Sequence, residues 1–383
     1  MEHPELHSYQ RAFIDACKAN FKYGGMACVM GTGTGKTIAA IFAALELLAE
    51  KKVSSVVVVA PKAVAPQFGA EVKKFDKAME ARWQLVSYER FKRGHASYDK
   101  DTLLILDEAH NLRNSSNATA QAIAKAAADV RFVMALTATP MVNGPQDLYM
   151  LLKILSKGKH IRGIPSTSMG WEKMYGTDIS KAGKGKEVVT KAFRRHVHYF
   201  FKQHSEDFPA RRLKCKTDVK LHRRQTKALI QLTSSSQAGR EALAMLRRLG
   251  GDFDSIGQVK STKNLNAYLN KARQAALVDY GQKCSPKIQT IVDAVQSGPG
   301  PAVVFVEFRK SGVDQLQKCL RGSKLRVGQM NGSMSKKKRF NMQKAYNTGK
   351  VDVLLITKAA AEGVDLKGTR QFHNTSPTWN PAL

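Results

Sequence analysis

Met30-Gly31-Thr32-Gly33-Thr34-Gly35-Lys36-Thr37 decides the reading of this chain. Glycine at every second position lets the backbone turn tightly, so that its N–H groups face phosphate oxygens. The apolar run Gly25-Met26-Ala27-Cys28-Val29 before it suits a buried strand. The run from Ile38 to Leu48 after it reads as a helix packed on a sheet. Strand, glycine loop and helix stand in the order a phosphate cradle needs, the helix adding its positive end. Gly31, Thr32, Gly33, Thr34 and Gly35 form the cradle. Lys36 reaches the outer phosphates and the Thr37 hydroxyl ligates magnesium. Met30 stands where the strict pattern has glycine.

A second stretch completes the chemistry. Asp107-Glu108-Ala109-His110 follows the apolar run Thr102–Leu106, as a strand delivering two carboxylates to its carboxyl end should. Asp107 holds the same magnesium, usually through water, while Glu108 orients and deprotonates the attacking water. The two stretches together imply cleavage of a nucleoside triphosphate, with ATP and Mg2+ as the expected cofactors.

Composition sets the outer limits. With 383 residues, 43% of them hydrophobic, the chain has material for two or three domains with real cores. Its 62 Lys and Arg outnumber 31 Asp and Glu, a net charge of +31 that calls for a polyanionic partner, nucleic acid first. Cysteines at 17, 28, 215, 284 and 319 make no close pair, so neither a zinc site nor a disulfide framework is expected. The amino terminus lacks signal-peptide character, and no apolar stretch is long enough to cross a bilayer. An intracellular setting, nucleus or cytoplasm, is expected.

Along the chain, Leu6–Gln10 opens a helix, and Val56–Ala60, Trp83–Tyr88, Thr102–Leu106 and Phe132–Leu136 read as strands. The same grammar returns at Ala302–Phe308 and Val351–Ile356, without a second phosphate loop. Strands alternating with helices predict an α/β fold with two parallel-sheet lobes and functional residues at the strands' carboxyl ends. Residues 1–225 form the first lobe, 226–280 a helical protrusion and 281–383 the second lobe. Residues 181–230 carry fifteen Lys and Arg against four acids. There Arg211, Arg212, Lys214, Lys216, Arg223 and Arg224 either line a groove or form a solvated basic face. Lys336–Arg339 reads either as an exposed helix start or as a nuclear localisation string. Trp171 and Tyr175, at helical spacing, are packing residues, and His196 and His198 alternate on a strand.

In these motifs the chain resembles superfamily 2 helicase-type ATPases, closest to the Swi/Snf-like branch. Residues 6–10 resemble the segment that reads adenine through Gln10. Residues 30–37 resemble motif I, in which a non-glycine first position is common. Ala60-Pro61-Lys62 resembles motif Ia and Val86-Ser87-Tyr88-Glu89 motif Ib. Residues 104–110 with Asn114 resemble motif II, and Leu136-Thr137-Ala138-Thr139-Pro140 with Asn143 motif III. Phe305–Phe308 resembles motif IV, Asn331-Gly332-Ser333 with Arg339 the next segment, and Thr357–Leu366 motif V. The alanine-rich motif V and the link Phe193–Phe200 with Phe208-Pro209 are similar to ATPases of large DNA viruses, the poxviral ones among them.

The resemblance implies two RecA-like lobes with ATP between them. It assigns Lys62, Ser87, Arg309, Thr357 and Lys358 to nucleic-acid phosphates. It assigns Thr137 and Thr139, together with His110, to coupling between hydrolysis and motion, and Asp365 to the ribose. Motif VI, with its arginines, should follow Trp379-Asn380-Pro381, where the sequence stops, so the second lobe is expected to be incomplete. The expected activity is an ATP-dependent motor on double-stranded DNA, with transcription or chromatin machinery as partners. An RNA-stimulated ATPase and a nucleotide-gated binding subunit stay open beside it.

Overall fold

Short runs of β-branched and apolar residues form the framework. In the first half of the chain they give six strands: β1 Gly25–Met30, β2 Ser55–Ala60, β3 Trp83–Ser87, β4 Thr102–Asp107, β5 Phe132–Thr137 and β6 Val197–Phe200. All pair in parallel, in the order β3-β2-β4-β5-β1-β6. The computed structural model describes residues 5–141, 145–161, 163–176, 184–200, 219–235, 237, 239–241, 244, 263–278, 284–361 and 364–375. Two compact units divide the chain near residue 210.

Strand periodicity sends alternate side chains to opposite faces. Ala27, Val29, Leu104, Leu106, Val133 and Ala135 pack on one face with helices Ala118–Asp129 and Asp147–Leu155. Met26, Cys28, Met30, Leu103, Ile105 and Met134 pack on the other with helices Ser8–Ala19 and Lys36–Ala49. Strands β1, β4 and β5 are buried along their whole length, which is why they read as unbroken apolar runs rather than alternating ones. The register sets Val29 beside Thr137, Asp107 beside Leu136 and Ala60 beside Ser87. The carboxyl ends of all six strands therefore share one edge, where the predicted chemistry lies.

The second unit repeats the plan with β7 Ala302–Phe305, β8 Val327–Met330, β9 Val353–Ile356 and β10 Gln371–Asn374, parallel in the order β10-β7-β9-β8. Helices Pro286–Ser297 and Asp314–Leu320 cover one face, and Lys336–Asn347 the other. The expected fold class, α/β with two parallel-sheet lobes, is the one observed. Helices Arg223–Ser235 and Lys263–Leu277 pack on each other, the buried Gln225 amide donating to the carbonyls of Ala275, Ala276 and Val278.

Several local expectations need correction. Cys284 and Cys319 form a disulfide, with Cα atoms 5.8 Å apart, although sequence spacing gives no hint of it. Cys284 stands just before one covering helix and Cys319 near the end of the other, and only their packing on β7 brings the sulfurs together. β7 stops at Phe305: Val306 still donates to the Ile356 carbonyl, but Glu307 turns to Arg273 and Phe308 starts the helical turn Arg309–Val313. His196 is not on a strand. It ends helix Lys184–His196 and is buried, its Nδ1 2.9 Å from the Gly25 carbonyl. Tyr88 leaves β3 and opens the helix Tyr88–Lys92, capped by Ser87.

The packing reading of Trp171 and Tyr175 holds, since both are buried on helix Ser168–Tyr175, Trp171 donating to the Pro145 carbonyl at 2.9 Å. The helix start at Lys336 holds too, with Ser335 as its cap. Arg211, Arg212, Lys214, Lys216, Asn143, Phe208-Pro209 and Trp379-Asn380-Pro381 lie outside the described residues.

Candidate ATP site and nucleic-acid edge

The glycine loop leaves β1 at Met30 and enters helix Lys36–Ala49 through Gly35, at φ 76°. That left-handed value favours glycine, and a Cβ there would also collide with the Gln10 amide. Gln10 explains the crowding. Its Nε2 donates to the carbonyls of Thr34 at 3.0 Å and Gly35 at 3.4 Å, while its Oε1 accepts from His7 N–H at 3.0 Å. The predicted adenine reader thus braces the loop from behind, with both ends of its amide engaged. Thr34 ties the loop to itself, its hydroxyl donating to the Gly31 carbonyl at 2.8 Å. Thr32 and Gly33 form the exposed crest, and Thr37 sits half-buried in the helix's first turn, where intrahelical bonding leaves N–H groups over.

Lys36 folds onto the loop, its Nζ donating to the carbonyls of Met30 and Gly31 at 3.1 and 3.0 Å. Its charge reaches both carboxylates across the sheet edge, pulling the pKa of each down. Asp107 nevertheless titrates high, raised to about 6, because it is buried and stands beside Glu108. Glu108 is held below the usual carboxylate range, chiefly by its hydrogen bond with His110. Its backbone takes φ 50°, ψ 50°, a left-handed conformation that costs a side-chain-bearing residue about 1–2 kcal/mol. His110 Nδ1 lies 3.3 Å from Glu108 Oε2 and 3.4 Å from Thr137 Oγ1. Thr137 Oγ1 in turn accepts from Thr139 N–H at 3.1 Å. The structure therefore brings Lys36, Asp107, Glu108, His110, Thr137 and Thr139 to one edge.

These residues fit a triphosphate with magnesium. The Asp107 carboxylate and Thr37 hydroxyl are hard oxygen donors of the kind that take Mg2+ alongside phosphate oxygens. Among the described residues no group of three His, Cys, Asp or Glu side chains could hold a metal without such a ligand. A bound magnesium ion would neutralise charge on the outer phosphates. Lys36 is placed to take up the same charge, and Glu108, ionised and oriented by His110, to accept a proton from water.

Candidate nucleic-acid residues spread over both units. In the first, exposed Lys62 follows β2, and Ser87 ends β3 with its hydroxyl accepting from Arg90 N–H at 3.3 Å. The Glu89 carboxylate beside them is lowered by its own amide, the Ser87 hydroxyl, Lys62 and Arg93. In the second unit, exposed Arg309 donates to Ser333 Oγ at 3.3 Å, at the carboxyl ends of β7 and β8. Thr357 is buried past the end of β9, its N–H donating to Met330, while Lys358 beside it is exposed. Asp365 is exposed, its carbonyl accepting from Asn347. Sequence alone does not single out Tyr88, whose hydroxyl donates to the Asp107 carbonyl at 2.7 Å. The signal is its place one residue past a strand that shares β2 with β4.

Three domain families match in chain order: the res subunit of type III restriction enzymes over residues 3–94, the SNF2-related domain over 84–238 and the helicase conserved C-terminal domain over 286–383. The chain is a helicase-type ATPase, an enzyme whose turnover depends on nucleic acid. Within that class it is similar to the Snf2-like branch of superfamily 2, each family match covering less than half of the chain. A candidate ATP-dependent RNA helicase of Acanthamoeba polyphaga mimivirus is 26% identical, over 98% of this chain and 81% of its own. An uncharacterised ATP-dependent helicase of Bacillus subtilis, YqhH, is 21% identical over 73% of this chain, which spans about half of the bacterial protein (51%). Among solved structures, the Sulfolobus solfataricus SWI2/SNF2 ATPase core in complex with dsDNA is similar (19% identity, TM-score 0.47), covering 97% of this chain and 82% of that one.

Proposed function

We propose that this chain couples ATP hydrolysis to translocation along double-stranded DNA, remodelling what is bound there rather than separating the strands. The observation that carries the reading is the placement of Lys36, Asp107 and Glu108 on the edge that also presents Lys62 and Ser87, with Ser87, Asp107 and Glu108 in the segment matching the SNF2-related domain and Lys36 and Lys62 in the one matching the type III restriction enzyme res subunit. Backbone phosphates suit such a motor, because contacts to them carry no sequence information. The net charge of +31 supports a polyanionic track. Magnesium, held by Asp107 and Thr37, belongs to the same reading.

A second reading has its own support: the mimivirus relative is named for RNA. ATP hydrolysis measured with duplex DNA, single-stranded DNA and single-stranded RNA, with Glu108→Gln as control, separates the two. Strong stimulation by duplex DNA alone, lost in the control, is the expected result. Preferential stimulation by RNA would replace the DNA reading.

A further inference from the structure

Tyr88 is buried among the apolar side chains under the sheet edge, yet its hydroxyl is aimed at one atom, the Asp107 carbonyl, 2.7 Å away. That carbonyl belongs to the peptide joining Asp107 to Glu108. The N–H of the same peptide donates to Asp107 Oδ1 at 3.0 Å. Both polar groups of the peptide are thus fixed, and Glu108, next along, stands in the left-handed region. A side-chain-bearing residue stays there only where its surroundings over-determine it. The peptide's orientation decides where the Glu108 carboxylate points.

Tyr88 has a second set of neighbours. Ser87 and Glu89 flank it in sequence, and β3 lies beside β2, Ser87 opposite Ala60. Glu89 is bonded by the Ser87 hydroxyl and feels the charges of Lys62 and Arg93. A nucleic-acid phosphate arriving at Lys62 competes with Glu89 for that charge. A shift of Glu89 and Ser87 would move the backbone on both sides of Tyr88, whose ring is bonded to the Asp107–Glu108 peptide.

We propose that Tyr88 is a positioning residue for hydrolysis: its hydroxyl sets the peptide on which Glu108 stands and transmits to it the arrival of a phosphate at Lys62, Ser87 and Glu89. The role rests on nucleic-acid-stimulated ATP hydrolysis by this chain. It requires that one chain of contacts has two arrangements, which kinetics can detect.

Tyr88→Phe removes one oxygen and keeps the ring. With saturating duplex DNA the variant is expected to lose about tenfold in kcat while KM for ATP and the melting temperature stay near wild type. Placed on Glu108→Gln, the same change should alter residual turnover by less than about twofold, because its effect runs through Glu108. Phe91→Leu, a packing change in the same short helix, separates fold from positioning. If Phe91→Leu melts lower yet keeps kcat, the assignment stands. If it reproduces the kcat loss, or if Tyr88→Phe costs as much on Glu108→Gln as on wild type, the assignment is overturned. Full turnover in Tyr88→Phe overturns it alone, whereas a wild-type chain inert with every nucleic acid overturns the motor reading as well.

Discussion

His110 reaches back to Glu108 across one intervening residue, its Nδ1 3.3 Å from the carboxylate Oε2. The same nitrogen is 3.4 Å from Thr137 Oγ1 on the neighbouring strand. The histidine thus ties the Glu108 carboxylate to the end of β5. Its bond is also the main cause that holds the Glu108 carboxyl below its usual range.

His110→Ala therefore has a directional consequence. Without its partner, and half-buried, Glu108 is expected to titrate at higher pH. A carboxylate base works only when ionised, so the acid limb of the pH dependence of kcat/KM moves upward. Turnover at neutral pH should fall by roughly tenfold, since the carboxylate also loses its orientation. An unmoved acid limb in a titration from about pH 3 to about pH 7 would show that His110 does not govern Glu108.

Gln10 supports the glycine loop by donating to the Thr34 and Gly35 carbonyls from a buried position. Gln10→Glu keeps the acceptor for His7 N–H but turns the donor into a second acceptor facing two carbonyls. A buried donor lost this way costs about 1–3 kcal/mol. The expected outcome is a higher KM for ATP together with a lower melting temperature, both milder in Gln10→Ala. A variant that raises KM without touching the melting temperature would make Gln10 a ligand contact rather than a brace.

The parts of this architecture legible in the sequence are those set by local spacing. Met30–Thr37 and Asp107–His110 carry their chemistry in consecutive residues, and the fully buried β1, β4 and β5 announce themselves as apolar runs. What stays hidden depends on register across the sheet. Tyr88 meets Asp107 only because β2 lies between β3 and β4. Gln10 meets Gly35 only because the first helix packs on the one behind the loop. Cys284 and Cys319 are 35 residues apart, and nothing short of the packed helices joins them. The truncated β7 is similar: Val306-Glu307-Phe308 is apolar enough for a strand, but Glu307 is drawn out by Arg273 from another helix.

Asp107 makes a stability prediction with a definite sign. Burial and the neighbouring Glu108 raise its pKa to about 6, against 3.8 ordinarily. Well below pH 3.8 the carboxyl is protonated in folded and unfolded chains alike, and the burial cost is absent. As pH rises from 3.8 towards 6 the unfolded chain ionises before the folded one, so folding stability is lost across that window, on the order of 3 kcal/mol in full once both states are ionised. Without divalent cations, Asp107→Asn should therefore melt several degrees above wild type at pH 7 and alongside it only below about pH 3. Magnesium should raise the wild-type melting temperature at pH 7 and leave the variant unmoved. A wild type and variant with parallel pH profiles would show that the carboxylate is not stressed by its surroundings.

Gly25 begins β1, the strand that aims the glycine loop, and helix Asp147–Leu155 closes directly over it. A Cβ there would stand 2.7 Å from the Leu155 carbonyl oxygen and 3.1 Å from that of Val133 on β5. Both obstacles are backbone, so neither can swing away. Gly25→Ala must push the helix off the sheet or distort the pairing with β5, a strain of about 1–3 kcal/mol. Gly94 is the control, because a Cβ there meets nothing within 4 Å and only its φ of 80° is strained. Gly94→Ala should cost about 1 kcal/mol and leave ATP hydrolysis intact. Gly25→Ala should melt lower than Gly94→Ala and raise KM for ATP, because the displaced strand carries Met30 and Gly31, the two carbonyls on which Lys36 rests. Equal losses in the two variants, with KM unchanged in both, would mean that the helix yields freely and that β1 does not set the loop.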